Sequence, residues 1–132
     1  MNPQEQAIAD VLKTYERALN ASSTTAVMPL YATDAIFMPQ HFPSSIGADA
    51  IRSAYDVIFQ AITLSVTFTI AEVHQVAPGW AFARTSSAGH VTVHATRAVT
   101  AEANQELFVF QSIENQWKIS RYCFCTTNPP RA

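Results

Sequence analysis

The spacing of apolar positions changes along the chain, and each change marks an element. Ile8, Val11, Leu12, Tyr15, Ala18 and Leu19 recur every three or four residues, as one helix face requires. Ahead of them Asn2-Pro3-Gln4-Glu5 supplies a cap, a first-turn proline and a capping-box glutamate. This predicts an amphipathic helix to about Asn20. Ser22 to Thr25 offers a second cap, and Ala26, Val27, Leu30 and Tyr31 predict a short second helix forming a hairpin with the first, with Pro29 near its first turn. After a turn at Thr33-Asp34, Ala35 to Met38 reads as a short strand stopped by Pro39, and Gln40 to Ser45 as a loop able to carry functional groups. Gly47 precedes a third helix whose Ile51, Ala54, Tyr55, Ile58, Phe59 and Ile62 form one apolar face.

Beyond Thr63 the period is two. Leu64, Val66, Phe68 and Ile70 alternate with Thr63, Ser65, Thr67 and Thr69, the pattern of a half-buried strand. Pro78-Gly79 breaks that run, and Trp80 to Ser87 is a second strand. Gly89 allows a bend or bulge, Val91, Val93 and Ala95 resume the alternation, and Glu106 to Ile113 and Trp117 to Thr126 flank a turn at Asn115-Gln116. Three helices around one strand, followed by a meander, predict a single α+β domain over residues 1–132.

Composition narrows the function classes. With 48% hydrophobic and 14% charged residues the chain can bury a sizeable core. Its formal charge of −2, with no basic cluster, argues against nucleic-acid binding. No apolar run approaches the roughly 20 residues of a membrane-spanning helix. The N-terminal residues lack the basic and apolar stretches of a signal peptide, so a cytoplasmic location is expected. Cys123 and Cys125, two apart on a strand, are too far apart to bridge and read as free thiols. Between Val57 and Ala101 only Glu72, Arg84 and Arg97 are charged, fewer than a solvated sheet face carries. A homodimer through the outer sheet face, anchored by Trp80, Phe108, Phe110 or Trp117, would cover it.

Tyr31-Ala32-Thr33-Asp34-Ala35, the following Pro39, Gly47 to Ile51 and Gln116-Trp117-Lys118-Ile119, in that order, resemble the nuclear transport factor 2-like superfamily. This is the cone fold shared by ketosteroid isomerases and SnoaL-like polyketide cyclases. Ala103 to Val109 with Arg121-Tyr122-Cys123-Phe124 are most similar to the small bacterial SgcJ/EcaC-type proteins. The resemblance implies three N-terminal helices packed on a curved, mostly antiparallel sheet, with an apolar cavity between them. Ketosteroid isomerases of this fold use a first-helix tyrosine, a base aspartate after the first strand and a protonated aspartate late in the sheet. Tyr15 matches the first, Met38-Pro39 stands at the second, and Val109 is the ungapped match for the third.

With Asn115-Gln116 as a two-residue turn, Val109 pairs with Tyr122 and Leu107 with Phe124, and by the resemblance that face lines the cavity. Tyr15 and Tyr122 would donate hydrogen bonds to a ligand oxygen, or else serve as core tyrosines with local partners. Glu106, Phe108, Phe110, Arg121, Cys123 and Cys125 fall on the opposite face. There Arg84, Glu106 and Arg121 would form an ion-pair network; with the faces reversed, Arg84 would bind an anion. His41 is the proton carrier at the cavity mouth, or else a solvated loop histidine. His74, His90 and His94 do not match a zinc spacing, no phosphate loop or nucleophile motif is present, and neither metal nor cofactor is expected.

The expected function is binding of a small apolar or mixed-polarity molecule in a cavity lined by Tyr15, Met38, His41, Arg84, Val109, Tyr122 and Phe124. The alternative is an isomerase, cyclase or dehydratase using Tyr15 and Tyr122 as donors and His41 as proton carrier, which the lack of a cavity carboxylate disfavours. A second alternative is a non-catalytic dimerisation module with a collapsed cavity.

Overall fold

The structure, a computed structural model, describes residues 1–128. Helix α1 (Pro3–Asn20) begins as its cap demands: the Asn2 side chain accepts from the Glu5 amide at 2.8 Å, and the Glu5 carboxylate accepts from the Asn2 amide at 3.2 Å. Its inner face buries Ile8, Leu12, Tyr15, Ala18 and Leu19. Helix α2 (Thr24–Val27) is capped by Ser23 and passes into a 3-10 turn at Met28–Leu30. The expected second helix therefore stops short of Tyr31. Pro29 has no amide hydrogen to continue it, and strand β1 (Tyr31–Met38) starts at Tyr31 in place of Ala35.

A two-residue strand β2 (Ser45–Ile46) leads through Gly47, at a φ of 86°, into α3 (Ala48–Ala61), which buries Ile51, Tyr55 and Phe59. The remaining chain is a meander: β3 (Ile62–Ala77), β4 (Trp80–Val93), β5 (Val99–Ile113) and β6 (Gln116–Thr126). The sheet order is β2-β1-β6-β5-β4-β3, with β1 parallel to β6 and every other pair antiparallel. Three helices packed on this six-stranded mixed sheet form an α+β cone. No helix of the described residues is long and apolar enough to cross a membrane.

Two bulges decide which side chains face inward. Between Ile70 and Glu72 the β3–β4 register shifts, so Ile70 and Val73 point in while Glu72 lies opposite Arg84 outside. In the last hairpin the turn is Glu114-Asn115, one residue earlier than expected, with φ of 51° and 64°. That error alone would preserve the faces. The extra residue Ser120 then shifts the register between Val109 and Phe110, and beyond it Tyr122 pairs with Phe108 and Phe124 with Glu106. Glu106, Phe108 and Phe110 therefore face inward, and Leu107 and Val109 face outward, the reverse of the expected assignment.

The same parity corrects the proposed dimer anchors. Phe108, Phe110 and Trp117 are buried on the inner side, and only Trp80, 42% exposed, lies outside. Gly89 does not break β4; it sits within the strand opposite Val66, where an added Cβ would lie 2.0 Å from the Ser65 carbonyl oxygen.

Candidate functional site

All four tyrosines of the chain converge beneath the helices. α1 presents Tyr15, α3 presents Tyr55, and β1 opens with Tyr31. The Tyr55 hydroxyl stands 2.6 Å from that of Tyr15 and 2.6 Å from that of Tyr31. Tyr122 enters from β6 and stacks on Phe108 with ring centroids 4.1 Å apart and planes within 3°. Phe37 stacks on the other side of Tyr122 at 5.5 Å, and Tyr55 stacks on Phe37 at 5.0 Å. These near-parallel rings fix the phenols rigidly. Burial raises the pKa of each tyrosine well above its ordinary value by withholding water from the phenolate, so all four remain O–H groups at neutral pH.

Beside them lies a carboxylate that the sequence reading set on the wrong face. Glu106 is 4% exposed, and its two oxygens accept from the Thr85 and Ser87 hydroxyls at 2.6 Å each. Thr85 and Ser87 come from the inner face of β4, so neighbouring strands supply the pair. No lysine, arginine or histidine among the described residues pairs with Glu106. Its charge also opposes ionisation of Tyr15 and Tyr122. The missed signal was the apolar phase of β6: Trp117 and Ile119 are two apart, as are Tyr122 and Phe124, but three residues separate Ile119 from Tyr122.

At the mouth, His41 holds a left-handed backbone with φ of 69° and lies within hydrogen-bond distance of Gln40, Nε2 to Nε2 at 2.8 Å. The Gln40 carbonyl oxygen accepts from the Thr126 amide, which turns its NH2 toward His41. The imidazole Nε2 is thus an acceptor, which places the neutral ring's proton on Nδ1.

Helices and sheet enclose a cavity of about 700 Å³ whose walls include Tyr15, Phe37, Leu64, Val66, Phe68, Glu106, Tyr122 and Phe124, with His41 and Phe42 at the rim. Of the expected lining residues, Tyr15, His41, Tyr122 and Phe124 border it. Met38, Arg84 and Val109 do not. Met38 alternates outward from Phe37; Val109 is turned out by the Ser120 bulge; Arg84 donates through Nε to Glu72 at 2.7 Å on the outer face. The Arg84 bond, reinforced by His74, holds the Glu72 pKa below its ordinary value. The expected network of Arg84, Glu106 and Arg121 is absent: Glu106 is inside, and Arg121 donates to the carbonyls of Asp34 and Ser120. Among the described residues no group of three or more His, Cys, Asp or Glu side chains gathers as a metal site.

The geometry offers a largely apolar cavity, open at one end, with phenol donors and one carboxylate at its floor and an imidazole at its mouth. Such a site can hold an apolar molecule by one oxygen and exchange a proton with it.

No protein-family model matches the chain, and no curated protein matches it. Solved structures do. A ketosteroid isomerase-like protein from Erwinia carotovora atroseptica SCRI1043 aligns over 98% of this chain and 100% of its own, with 30% identity and a TM-score of 0.93. An NTF-2 like protein of unknown function from Shewanella oneidensis MR-1 aligns over 90% of this chain and 96% of its own, at 18% identity and a TM-score of 0.73. A type 2 hexachlorocyclohexane dehydrochlorinase shares the fold at 11% identity, over 98% of this chain and 89% of its own, with a TM-score of 0.83.

Proposed function

The chain belongs to the nuclear transport factor 2-like superfamily, and from that premise we propose that it binds a small, mostly apolar molecule in the cavity between helices and sheet. One observation carries this reading: about 700 Å³ of space remains open above a floor of phenols and a carboxylate. A chain whose only role was pairing would gain stability by filling that space, since protein interiors otherwise pack densely. Titrating the purified protein with 2-naphthol by calorimetry tests it. Binding that Leu64→Trp, on the cavity wall, abolishes without lowering the melting temperature supports the reading; absence of binding by 2-naphthol and by a panel of larger neutral ketones counts against it.

Glu106 favours a second reading, in which the bound molecule also reacts. Tyr15 and Tyr122 donate hydrogen bonds to a ligand carbonyl oxygen as it gains negative charge. Glu106 accepts the proton leaving the adjacent carbon and returns it elsewhere on the same molecule, and His41 relays protons at the mouth. This is the chemistry of an isomerase, and of a dehydratase where a leaving hydroxyl follows. Deuterium incorporation next to the carbonyl of a bound ketone in heavy water tests it. Incorporation that Glu106→Gln abolishes supports the reading, and exchange at the buffer rate sinks it.

The outer face of the sheet carries Trp80, Phe82, Leu107 and Val109, and this apolar surface supports pairing with a second copy.

A further inference from the structure

The cavity is charged on one side only. Glu102, Asn104 and Glu106 occupy alternate positions of β5 and border the cavity, whereas no lysine or arginine among the described residues does. Glu106 belongs to the floor. Glu102 lies toward the mouth: the intervening Asn104 pairs with Thr126, whose amide is held by the Gln40 side chain next to His41. Asn104 donates to Glu102 Oε1 at 3.3 Å, while Oε2 has no partner among the described residues. Four residues of extended strand set the two carboxylates roughly 13 Å apart.

The floor points to a ligand independently. Tyr122 is 4% exposed and borders the cavity, and the side chain that its hydroxyl meets is Tyr15. The linked phenols of Tyr15, Tyr55 and Tyr31 carry three protons for two bonds, so one O–H of that chain lacks an acceptor within it. With Tyr122 joined to Tyr15, four protons share three bonds and one is still left over. Where Tyr122 ends that chain at the cavity wall, an acceptor oxygen on a ligand takes the remaining O–H.

Building on the cavity-binding reading, we infer that the cavity takes an amphipathic amine: an apolar body with a carbonyl or phenolic oxygen at one end and a cationic nitrogen at the other. The oxygen meets the phenol donors. The ammonium meets the open oxygen of Glu102, and Glu106 leaves the cavity negative throughout, so a carboxylate or phosphate ligand is repelled. The distance from the phenols to Glu102 sets the ligand's length.

Three probes on one scaffold test this by calorimetry with the full chain at low salt: 6-ethyl-2-naphthol, 6-(2-aminoethyl)-2-naphthol and 6-(2-carboxyethyl)-2-naphthol. The expected result is binding of the ethyl probe, about tenfold tighter binding of the amine, and about tenfold weaker binding of the acid. Glu102→Gln, its fold checked by circular dichroism, brings the amine-to-ethyl affinity ratio close to one. An amine that binds no tighter than the ethyl probe overturns the charge inference and leaves cavity binding standing. An amine advantage that survives Glu102→Gln overturns it too, and failure of all three probes to bind overturns both readings.

Discussion

The hydroxyls of Tyr15 and Tyr55 lie 2.6 Å apart although 40 residues separate them in sequence. Tyr31 meets Tyr55 from the other side at the same distance, so the phenol of α3 links α1 to the start of β1. Removing the central hydroxyl strands two buried partners, whereas removing Tyr31 strands one. Tyr55→Phe should therefore destabilise the protein by about 1–3 kcal/mol and Tyr31→Phe by less. Urea unfolding of the two variants checks the order, and the reverse order would show that Tyr55 is not the hub.

Alkali should act on the same cluster. In the unfolded chain tyrosines ionise near pH 10, while the folded pKa of all four is raised, chiefly by burial. Above about pH 10 the unfolded state therefore releases protons that the folded state keeps. Stability is fully present below that pH and falls as the pH climbs toward the raised folded values. Phenolate absorbance at 295 nm and loss of the circular dichroism signal should rise together in one step. Phenolate appearing while the fold persists would contradict complete burial.

Glu106 ties two buried hydroxyls, and its removal should show in stability as well as in binding. Glu106→Leu leaves Thr85 and Ser87 without their acceptor, at about 1–3 kcal/mol for each hydroxyl left unsatisfied. Adding Thr85→Val and Ser87→Ala removes the stranded donors and should recover part of that loss. Denaturant midpoints of the single and triple variants measure the coupling. Recovery without restored ligand binding separates the structural role of the carboxylate from its functional one.

Gly89 leaves no room for a side chain between β4 and β3. A methyl group there would lie 2.0 Å from the Ser65 carbonyl oxygen and 2.8 Å from the Val66 Cα, both backbone atoms of the facing strand. Gly89→Ala must push β3 away from β4, and a loss of about 3 kcal/mol is expected. A thermal melt checks it; an unchanged midpoint would mean that the strands are farther apart there.

The helices were legible because their signals are local. The Asn2-Pro3-Gln4-Glu5 cap and the repeat from Ile8 to Leu19 delimit α1 within the chain itself, and the same holds for α3 after Gly47. Tyr15, Tyr122 and Phe124 were placed on the correct side through the resemblance and a register whose errors left β6 unaffected. β5 was reversed by a single bulged residue, Ser120; the turn at Glu114-Asn115, with Glu114 at positive φ, moved the register without exchanging the faces. Because side chains alternate strictly, one unpaired residue exchanges the faces of everything beyond it relative to the partner strand. Glu106 was lost to the site for that reason alone, and with it the strongest argument for chemistry. The bulge between Ile70 and Glu72 had a parallel effect: it turned Glu72 outward, where it takes the place expected of Glu106 as the partner of Arg84.

Leu107 and Phe108 turn this face assignment into a direct test. They are adjacent on β5, yet Leu107 is 44% exposed on the outer face and Phe108 is fully buried against Tyr122 and Tyr15. Phe108→Asp places an unpaired charge in the core and should prevent folding. Leu107→Asp should leave the denaturation midpoint of the isolated chain within about 0.5 kcal/mol, as exposed positions do. If two copies pair through this face, Leu107→Asp also places like charges across the contact, and sedimentation should pass from dimer to monomer at micromolar concentration. A folded Phe108→Asp beside an unfolded Leu107→Asp would reverse the two faces and return Glu106 to the outside.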